Sequence, residues 1–149
     1  MRIFLFDDKV VALYVTRKGE GNPWTAEQMK NRIVDRTDYP FVDDPAVHGK
    51  WVSVDFAETI EQFRPDQKRW GADLYLKEMT FLDDGKIALQ WKSAKWTWTK
   101  GLIINEEGKT APAYTIKRLD GKDYLFVEWK SGDYVFRHMT PQYYVLTRR

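Results

Sequence analysis

The sequence contains no cysteine in its 149 residues. This absence excludes disulfides, cysteine-bound zinc and thiol nucleophiles, and it suits a reducing compartment. We therefore expect a cytoplasmic protein. Histidine is also scarce, because only His48 and His138 are present, and neither has a second ligand at metal-binding spacing. The acidic pair near His48, Asp43 and Asp44, is typical of a turn. The sequence predicts no metal site and no cofactor.

Long apolar runs and an excess of one charge are missing as well. The first apolar run, Ile3 to Phe6, is too short for a signal-peptide core or a membrane span. The 24 basic and 22 acidic residues give a formal net charge of only +2, which creates no general field for nucleic acid or an anionic membrane. We expect a globular protein without a membrane partner.

Signatures of catalysis are missing too. Ser53 and Ser131 lie in no nucleophile elbow and no Ser–His pattern, and the chain has no glycine loop to cradle phosphate. Three carboxylates, Asp55, Glu58 and Glu61, are close in sequence, but this local spacing indicates a solvated face rather than an opposed acid–base pair. The sequence therefore predicts a non-enzymatic protein.

Aromatic residues are abundant, with 7 Trp, 8 Tyr and 8 Phe. The most regular aromatic pattern lies in residues 91–100, WKSAKWTWTK, where tryptophans alternate with polar residues. A two-residue period predicts a strand with two different faces. One face carries Trp96, Trp98 and Lys100, and the other carries Lys95, Thr97 and Thr99. The tryptophan face can then enter an aromatic interior while the other face meets water.

Residues 1–40 predict an accessory layer. Two β-prone runs between residues 2 and 16 indicate a hairpin. Thr25 and Gln28 have the spacing of a capping box, which predicts a short helix that carries Ile33 on its docking side and ends before Pro40. We expect this segment to pack on the main domain.

Residues 41–149 predict a mainly β domain. Turn signals recur roughly every eight to twelve residues, as in an all-β meander. Residues Glu58 to Phe63 can form one or two helical turns before Pro65 ends them. The strands are predicted at residues 50–56, 72–82, 86–91, 95–104, 112–119, 122–130, 133–138 and 142–148. Eight antiparallel strands in this order can close into a small barrel, which removes exposed edges.

Three motifs at the ends of this predicted barrel resemble those of the calycins, the superfamily of lipocalins and fatty-acid-binding proteins. They are the G-x-W-like opening Gly49-Lys50-Trp51, the T-D-Y-like turn Gly132-Asp133-Tyr134, and a late basic residue, Arg148 or Arg149. Residues 128–134 and 143–146 also resemble bacterial lipocalin-like domains of unassigned function. The likeness covers roughly residues 40–149, although the family's Thr is replaced by Gly132 and the domain is shorter than a typical lipocalin.

The resemblance implies a calycin-like barrel that binds a small apolar or amphipathic molecule in its lumen. Gly49, Trp51 and Arg148 are structural in this pattern, because glycine permits a close backbone approach and the tryptophan closes one end beneath a cation. We expect the ligand to contact Tyr75, Trp96, Trp98, Phe126 and a polar anchor, either Glu128 or Arg137. On this hypothesis Trp51→Ala mainly destabilises the protein, whereas Trp98→Ala mainly weakens binding.

The sequence is also compatible with a filled barrel and with two different functions. The aromatic rings can simply fill a small barrel, and Glu128 can form an outward salt bridge with Arg137 on the next predicted strand. A second function is protein interaction or homodimerisation through residues 1–40, with the barrel as scaffold. Stacking of single-stranded nucleic acid on the tryptophans of residues 91–100 is disfavoured by the near-neutral charge.

Overall fold

A computed structural model describes residues 31–92, 94–130 and 132–149. The predicted hairpin at residues 2–16 and the capping box at Thr25 lie outside the described residues. Residues 33–44 contain no helix, so the predicted helix does not include Ile33. The reason is a tertiary contact, because the Ile33 N–H donates to the carbonyl of Val135 at 2.7 Å and not to a carbonyl of its own turn.

The described residues form eight strands, which are short except for β1, β7 and β8. The strands are β1 (Gly49–Ala57), β2 (Glu78–Phe81), β3 (Ile87–Leu89), β4 (Thr97–Thr99), β5 (Leu102–Ile104), β6 (Tyr114–Leu119), β7 (Lys122–Trp129) and β8 (Gln142–Arg148). A 3-10 helix at Ile60–Gln62 follows β1, within the residues where helical turns were predicted before Pro65. A short helix, α1 (Gly132–Arg137), follows β7. None of the described helices is long and apolar enough to cross a membrane.

The strands pair antiparallel in two sheets. The larger sheet has the order β3-β2-β1-β8-β7-β6, and β4 pairs with β5 in a separate hairpin. The predicted mainly β, antiparallel fold is therefore confirmed. A closed barrel is not found among the described residues, because only the isolated bridges Lys86↔Thr97 and Leu102↔Ala113 connect the hairpin to the edges of the larger sheet. Pro112 lies where the pairing between β5 and β6 is interrupted, and it has no N–H to donate.

Two predicted strands are corrected by the structure. Residues 95–104 form the β4–β5 hairpin instead of one strand, because the chain reverses at Gly101, whose φ of +86° lies in the left-handed region that favours glycine. Most of residues 133–138 belong to α1, so the T-D-Y-like motif opens a helix and not a turn between strands. So short a run of mixed polarity does not distinguish a strand from a single helical turn by its period.

The larger sheet is buried on both faces near its centre. On β7, Leu125, Val127 and Trp129 face the main core, whereas Tyr124 and Phe126 face a second cluster. This strand is therefore apolar on both sides. The main core also contains Val47, Trp51, Leu76, Met79, Phe81, Trp98, Ile103 and Leu146. The second cluster is covered by Phe63, which follows the 3-10 helix.

Trp51 closes one end of the main core. Its ring is fully buried, and its indole N–H donates to the Val47 carbonyl at 2.9 Å. The guanidinium of Arg148 lies 4.3 Å from the centroid of this ring and donates to two backbone carbonyls just before β1. The expected contact between the opening tryptophan and a late basic residue is thus present. A cation over an aromatic face adds electrostatic attraction to the packing.

Residues 33–42, here called the strap, cross the β4–β5 hairpin. The Val42 N–H donates to Thr99 Oγ1 at 2.7 Å, and the Lys100 N–H donates to the Val42 carbonyl at 2.8 Å. The Thr99 hydroxyl donates to the Pro40 carbonyl at 2.9 Å. Thr99, which the alternation placed on the water face, is therefore buried beneath the strap.

Candidate functional site

Aromatic rings line the end of the main core that is remote from Trp51. Phe56 follows Trp51 on β1 by about 17 Å of extended strand. The centroid distances are 5.3 Å for Phe56–Trp70, 4.8 Å for Phe56–Tyr144, 4.9 Å for Trp129–Tyr144, 6.1 Å for Trp96–Trp129, 6.2 Å for Tyr75–Trp129 and 4.7 Å for Tyr75–Trp91. We call these rings the aromatic end. Several of them meet edge to face, the arrangement that their quadrupoles favour.

A groove opens beside two of these rings. Its volume is about 400 Å³, which lies within the range of small-molecule sites in proteins. Phe56 and Trp70 form its aromatic wall, and Trp70 remains 41% exposed. The other lining residues are Ala57, Glu58, Gln62, Gln67, Lys68, Arg69 and Gln142. We call this feature the rim groove. It combines an apolar wall with polar and charged side chains, so it suits an amphipathic molecule.

Asp55 determines where the aromatic wall lies. This carboxylate is 1% exposed and sits at a β-bulge, where the pairing of β1 with β8 shifts between Ser53 and Asp55. It accepts hydrogen bonds from the backbone N–H groups of Phe56 at 2.9 Å, Arg69 at 3.0 Å and Trp70 at 2.8 Å. The bulge turns Asp55 out of the regular alternation. The carboxylate then ties the loop that carries Trp70 to the strand that carries Phe56.

A smaller cleft lies on the other side of the aromatic end, between Trp96 and Trp129. Its volume is about 20 Å³, enough for one water molecule. The indole N–H of Trp129 is buried and has no hydrogen-bond acceptor among the described residues. A buried N–H without an acceptor is costly, so a small polar group beside Trp129 would lower the free energy of the folded protein.

The structure brings two of the predicted aromatic contacts, Tyr75 and Trp96, to the aromatic end, but it places two others elsewhere. Trp98 is 1% exposed, donates its indole N–H to the Leu82 carbonyl at 2.8 Å, and packs at the Trp51 end of the core. Phe126 is fully buried in the second cluster, on the opposite face of β7. Because Trp98 is enclosed, the three tryptophans of residues 91–100 do not form a stacking platform for nucleic acid on the surface.

Neither predicted polar anchor belongs to the main core, but Glu128 is half-buried and borders the small cleft together with Trp96. Glu128 shares one face of β7 with Phe126, because side chains two residues apart on a strand point the same way, but this is not the face of the main core. Its Oε1 accepts a hydrogen bond from the Ala113 N–H at 2.7 Å, which prolongs the pairing of β6 with β7. Arg137 lies exposed at the end of α1 and not on a neighbouring strand. Neither residue lines the rim groove.

A cluster of charged and polar groups joins the strap to the end of β7 and to α1. Asp35 accepts hydrogen bonds from Lys130 Nζ at 2.7 Å, from the Ala111 N–H at 2.9 Å and from the Tyr134 hydroxyl at 3.1 Å. Burial opposes the charge on Asp35, but the hydrogen bonds from Lys130 and Ala111 outweigh it and hold the pKa of Asp35 below its usual value. Burial opposes the charge on Lys130 as well, but the bond to Asp35 outweighs it and raises the pKa of Lys130.

The acidic residues before β1 have structural partners. His48 Nε2 lies 2.5 Å from an oxygen of Asp43, and the Tyr114 hydroxyl donates to Asp44 at 2.8 Å. Burial, together with the negative charge of Asp44, raises the pKa of Tyr114 above its usual value. The described residues contain no group of three His, Asp or Glu side chains placed to hold a metal ion.

Phe56, Trp70 and Gln142 were not predicted to form a site. Phe56 and Gln142 belong to predicted strands, but only the bulge at Asp55 and the pairing with β8 bring them to the groove. Trp70 lies in a loop with no period from which its partners could be inferred. The single available signal was the aromatic excess itself.

Comparison with known proteins adds no relative. No family model matches the chain, and no curated protein or solved structure matches it.

Proposed function

We propose that this chain is a calycin-like, non-enzymatic binding protein that holds a small amphipathic molecule in the rim groove. The calycin part of the proposal is supported by the antiparallel order of β1 to β8 and by the packing of Arg148 over Trp51. The isolated bridges at the two sheet edges are consistent with an incompletely hydrogen-bonded barrel. The end closed by Trp51 and Trp98 is filled, so the ligand site lies at the other end.

The observation that carries the proposal is the groove of about 400 Å³ with an aromatic wall and a polar wall. Sites for small molecules are concave and combine apolar surface with polar groups that orient the ligand. Trp70 and Phe56 supply the apolar surface, and the amide and charged side chains opposite them supply the polar groups. An aromatic pair whose backbone is held by Asp55 needs little rearrangement to accept a flat ring.

The test is binding of N-phenyl-1-naphthylamine, a neutral fluorescent probe in which a phenyl ring is joined to a naphthalene. Trp70→Ala should raise its dissociation constant about tenfold, equivalent to ~1.4 kcal/mol, because half of the aromatic wall is removed. Tyr39→Ala is the matched control, since Tyr39 is also a partly exposed aromatic residue but does not line the groove. Equal affinity of wild type and Trp70→Ala would exclude the rim groove as the binding site.

A second candidate function is association with another copy of this chain. Exposed apolar side chains on the strap and on a neighbouring turn favour it, namely Val34, Tyr39, Phe41, Val42 and Leu82. Apolar residues grouped on a surface are common at protein interfaces. Sedimentation velocity, measured over a protein concentration range of about a hundredfold, tests whether the chain forms dimers. A strict monomer that still binds the probe would leave only the ligand-binding function.

A further inference from the structure

Two basic side chains and one acidic side chain stand among the described lining residues of the rim groove. Lys68 and Arg69 both line it, whereas Glu58 is the one acidic residue among the described residues of its lining. Neither basic side chain forms an ion pair with another described residue. Most exposed basic residues are solvated and bind nothing, but these two border a concave aromatic surface. A charged group placed beside a surface that excludes water interacts more strongly with a ligand charge than an isolated surface lysine does.

The backbone that presents these groups is fixed. Both oxygens of Asp55 accept hydrogen bonds from the Arg69 N–H, at 3.2 and 3.0 Å, and one of them accepts from the Trp70 N–H at 2.8 Å. The same carboxylate binds the N–H of Phe56. The backbone of one cationic residue and of two aromatic residues is thus held around one buried group, so less backbone entropy is lost when a ligand contacts all three.

The three glutamines of the lining can donate hydrogen bonds. The side-chain oxygen of Gln62 already accepts from the Glu58 N–H at 3.0 Å, so its amide N–H groups remain as donors. Gln67 and Gln142 offer further amide groups at the groove. A planar guanidinium also matches a carboxylate, sulfonate or phosphate with two parallel hydrogen bonds. The polar wall is therefore suited to an oxyanion.

We infer that the ligand of the rim groove is a small amphipathic anion. Its flat apolar part lies against Phe56 and Trp70, and its oxyanion lies beside Lys68 and Arg69. This inference rests on the proposed function, because it specifies the chemistry of a molecule in the same groove. The ligand is a small molecule and not part of a macromolecule, since a groove of about 400 Å³ has room for one compact ligand.

The experiment compares two probes that share their ring system. 8-Anilinonaphthalene-1-sulfonate carries a sulfonate, and N-phenyl-1-naphthylamine lacks it. The wild-type chain should bind the sulfonate about tenfold more tightly, and this preference should shrink as salt is raised from about 0.05 M to about 0.5 M, because ions screen the attraction. The double variant Lys68→Gln/Arg69→Gln should bind the sulfonate about tenfold more weakly and the neutral probe as before.

The matched control is Lys117→Gln/Lys122→Gln. This control also removes two positive charges, but from exposed positions on β6 and β7 that lie outside the groove. This control should bind both probes like wild type, and circular dichroism should show that all variants remain folded.

Three results would overturn the inference and can be told apart. If both probes bind equally, depend on Trp70 and ignore the change at Lys68 and Arg69, the anion is excluded while the binding function stands. If neither probe depends on Trp70, the binding function itself fails. A loss of sulfonate binding that is equally large in the Lys117→Gln/Lys122→Gln control would assign the effect to net charge and exclude a local oxyanion site.

Discussion

At the scale of single residues, the burial of Asp55 differs most from what its neighbours in the sequence indicated. Its spacing from Glu58 and Glu61 indicated one solvated acidic face, and the latter two are indeed exposed. Asp55 is instead buried, because its carboxylate accepts backbone N–H groups from Phe56, Arg69 and Trp70. A buried charge is tolerated when enough donors surround it.

Replacing Asp55 by Ala should therefore destabilise the protein. The N–H groups of Arg69 and Trp70 would lose their acceptor, which typically costs about 1 to 3 kcal/mol for a buried group. Urea denaturation measures the change in the free energy of unfolding. Asp66→Ala is the control, because Asp66 is exposed and should change the midpoint little. A midpoint unchanged in Asp55→Ala would show that the loop does not depend on this carboxylate.

Trp98 gives a second prediction at this scale. A position at a ligand-binding mouth would make Trp98→Ala a binding mutation, but the ring is as deeply enclosed as that of Trp51 and its N–H is bonded to Leu82. We expect Trp51→Ala and Trp98→Ala each to cost about 3 to 5 kcal/mol, the usual range for a core tryptophan. Chemical denaturation of both variants provides the comparison. A Trp98→Ala variant within about 1 kcal/mol of wild type would contradict the core assignment.

At the scale of elements, the ion pair between Asp35 and Lys130 attaches the strap to β7. Their side chains are only 17% and 12% exposed, and the nitrogen–oxygen distance is 2.7 Å. Lys130→Met should destabilise the protein by up to about 3 kcal/mol, because the Asp35 carboxylate would stay buried without its cation. The double variant Asp35→Leu/Lys130→Met should recover part of this loss. Thermal melts of wild type, of the two single variants Asp35→Leu and Lys130→Met, and of the double variant yield the coupling energy.

The same pair predicts how stability depends on pH. The pKa of Asp35 is lowered by folding, so its contribution is present at neutral pH and is lost as pH falls below about 4 through the folded pKa. The pKa of Lys130 is raised, so its contribution is lost only as pH rises above about 10. Between these limits the difference in stability between wild type and Asp35→Leu/Lys130→Met should stay constant. A difference that changes between pH 5 and 8 would point to another titrating group.

At the scale of the whole molecule, stability should be unevenly distributed. β1, β8 and β7 occupy the centre of the larger sheet and have neighbours on both sides, whereas the β4–β5 hairpin is joined to that sheet by isolated bridges. Local opening is easiest where few hydrogen bonds and contacts must break. Native-state hydrogen exchange should show the slowest amides on the three central strands and faster exchange on the hairpin. Equal protection of the two regions would indicate a fully closed, cooperative barrel.

Some of these features follow from the sequence alone. The predicted bounds of β1, β7 and β8 lie within one residue of the observed ones, because alternation and turn residues act over a few neighbouring positions. The pairing of the opening tryptophan with a late arginine was likewise expected from the resemblance of the motifs. The opposite orientation of Phe126 and Val127 also follows, since successive side chains of a strand point to opposite faces.

Other features were decided only by the tertiary structure. Both faces of β7 are apolar, so alternation could not tell which one meets the main core, and Phe126, a predicted ligand contact, lies on the other face. The bulge at Asp55, the turn at Gly101 and the position of Trp70 depend on partners up to about 15 residues away or on other strands. A local period carries no information on such contacts, because their free energy arises only when distant segments exclude water from one another and satisfy each other's hydrogen bonds.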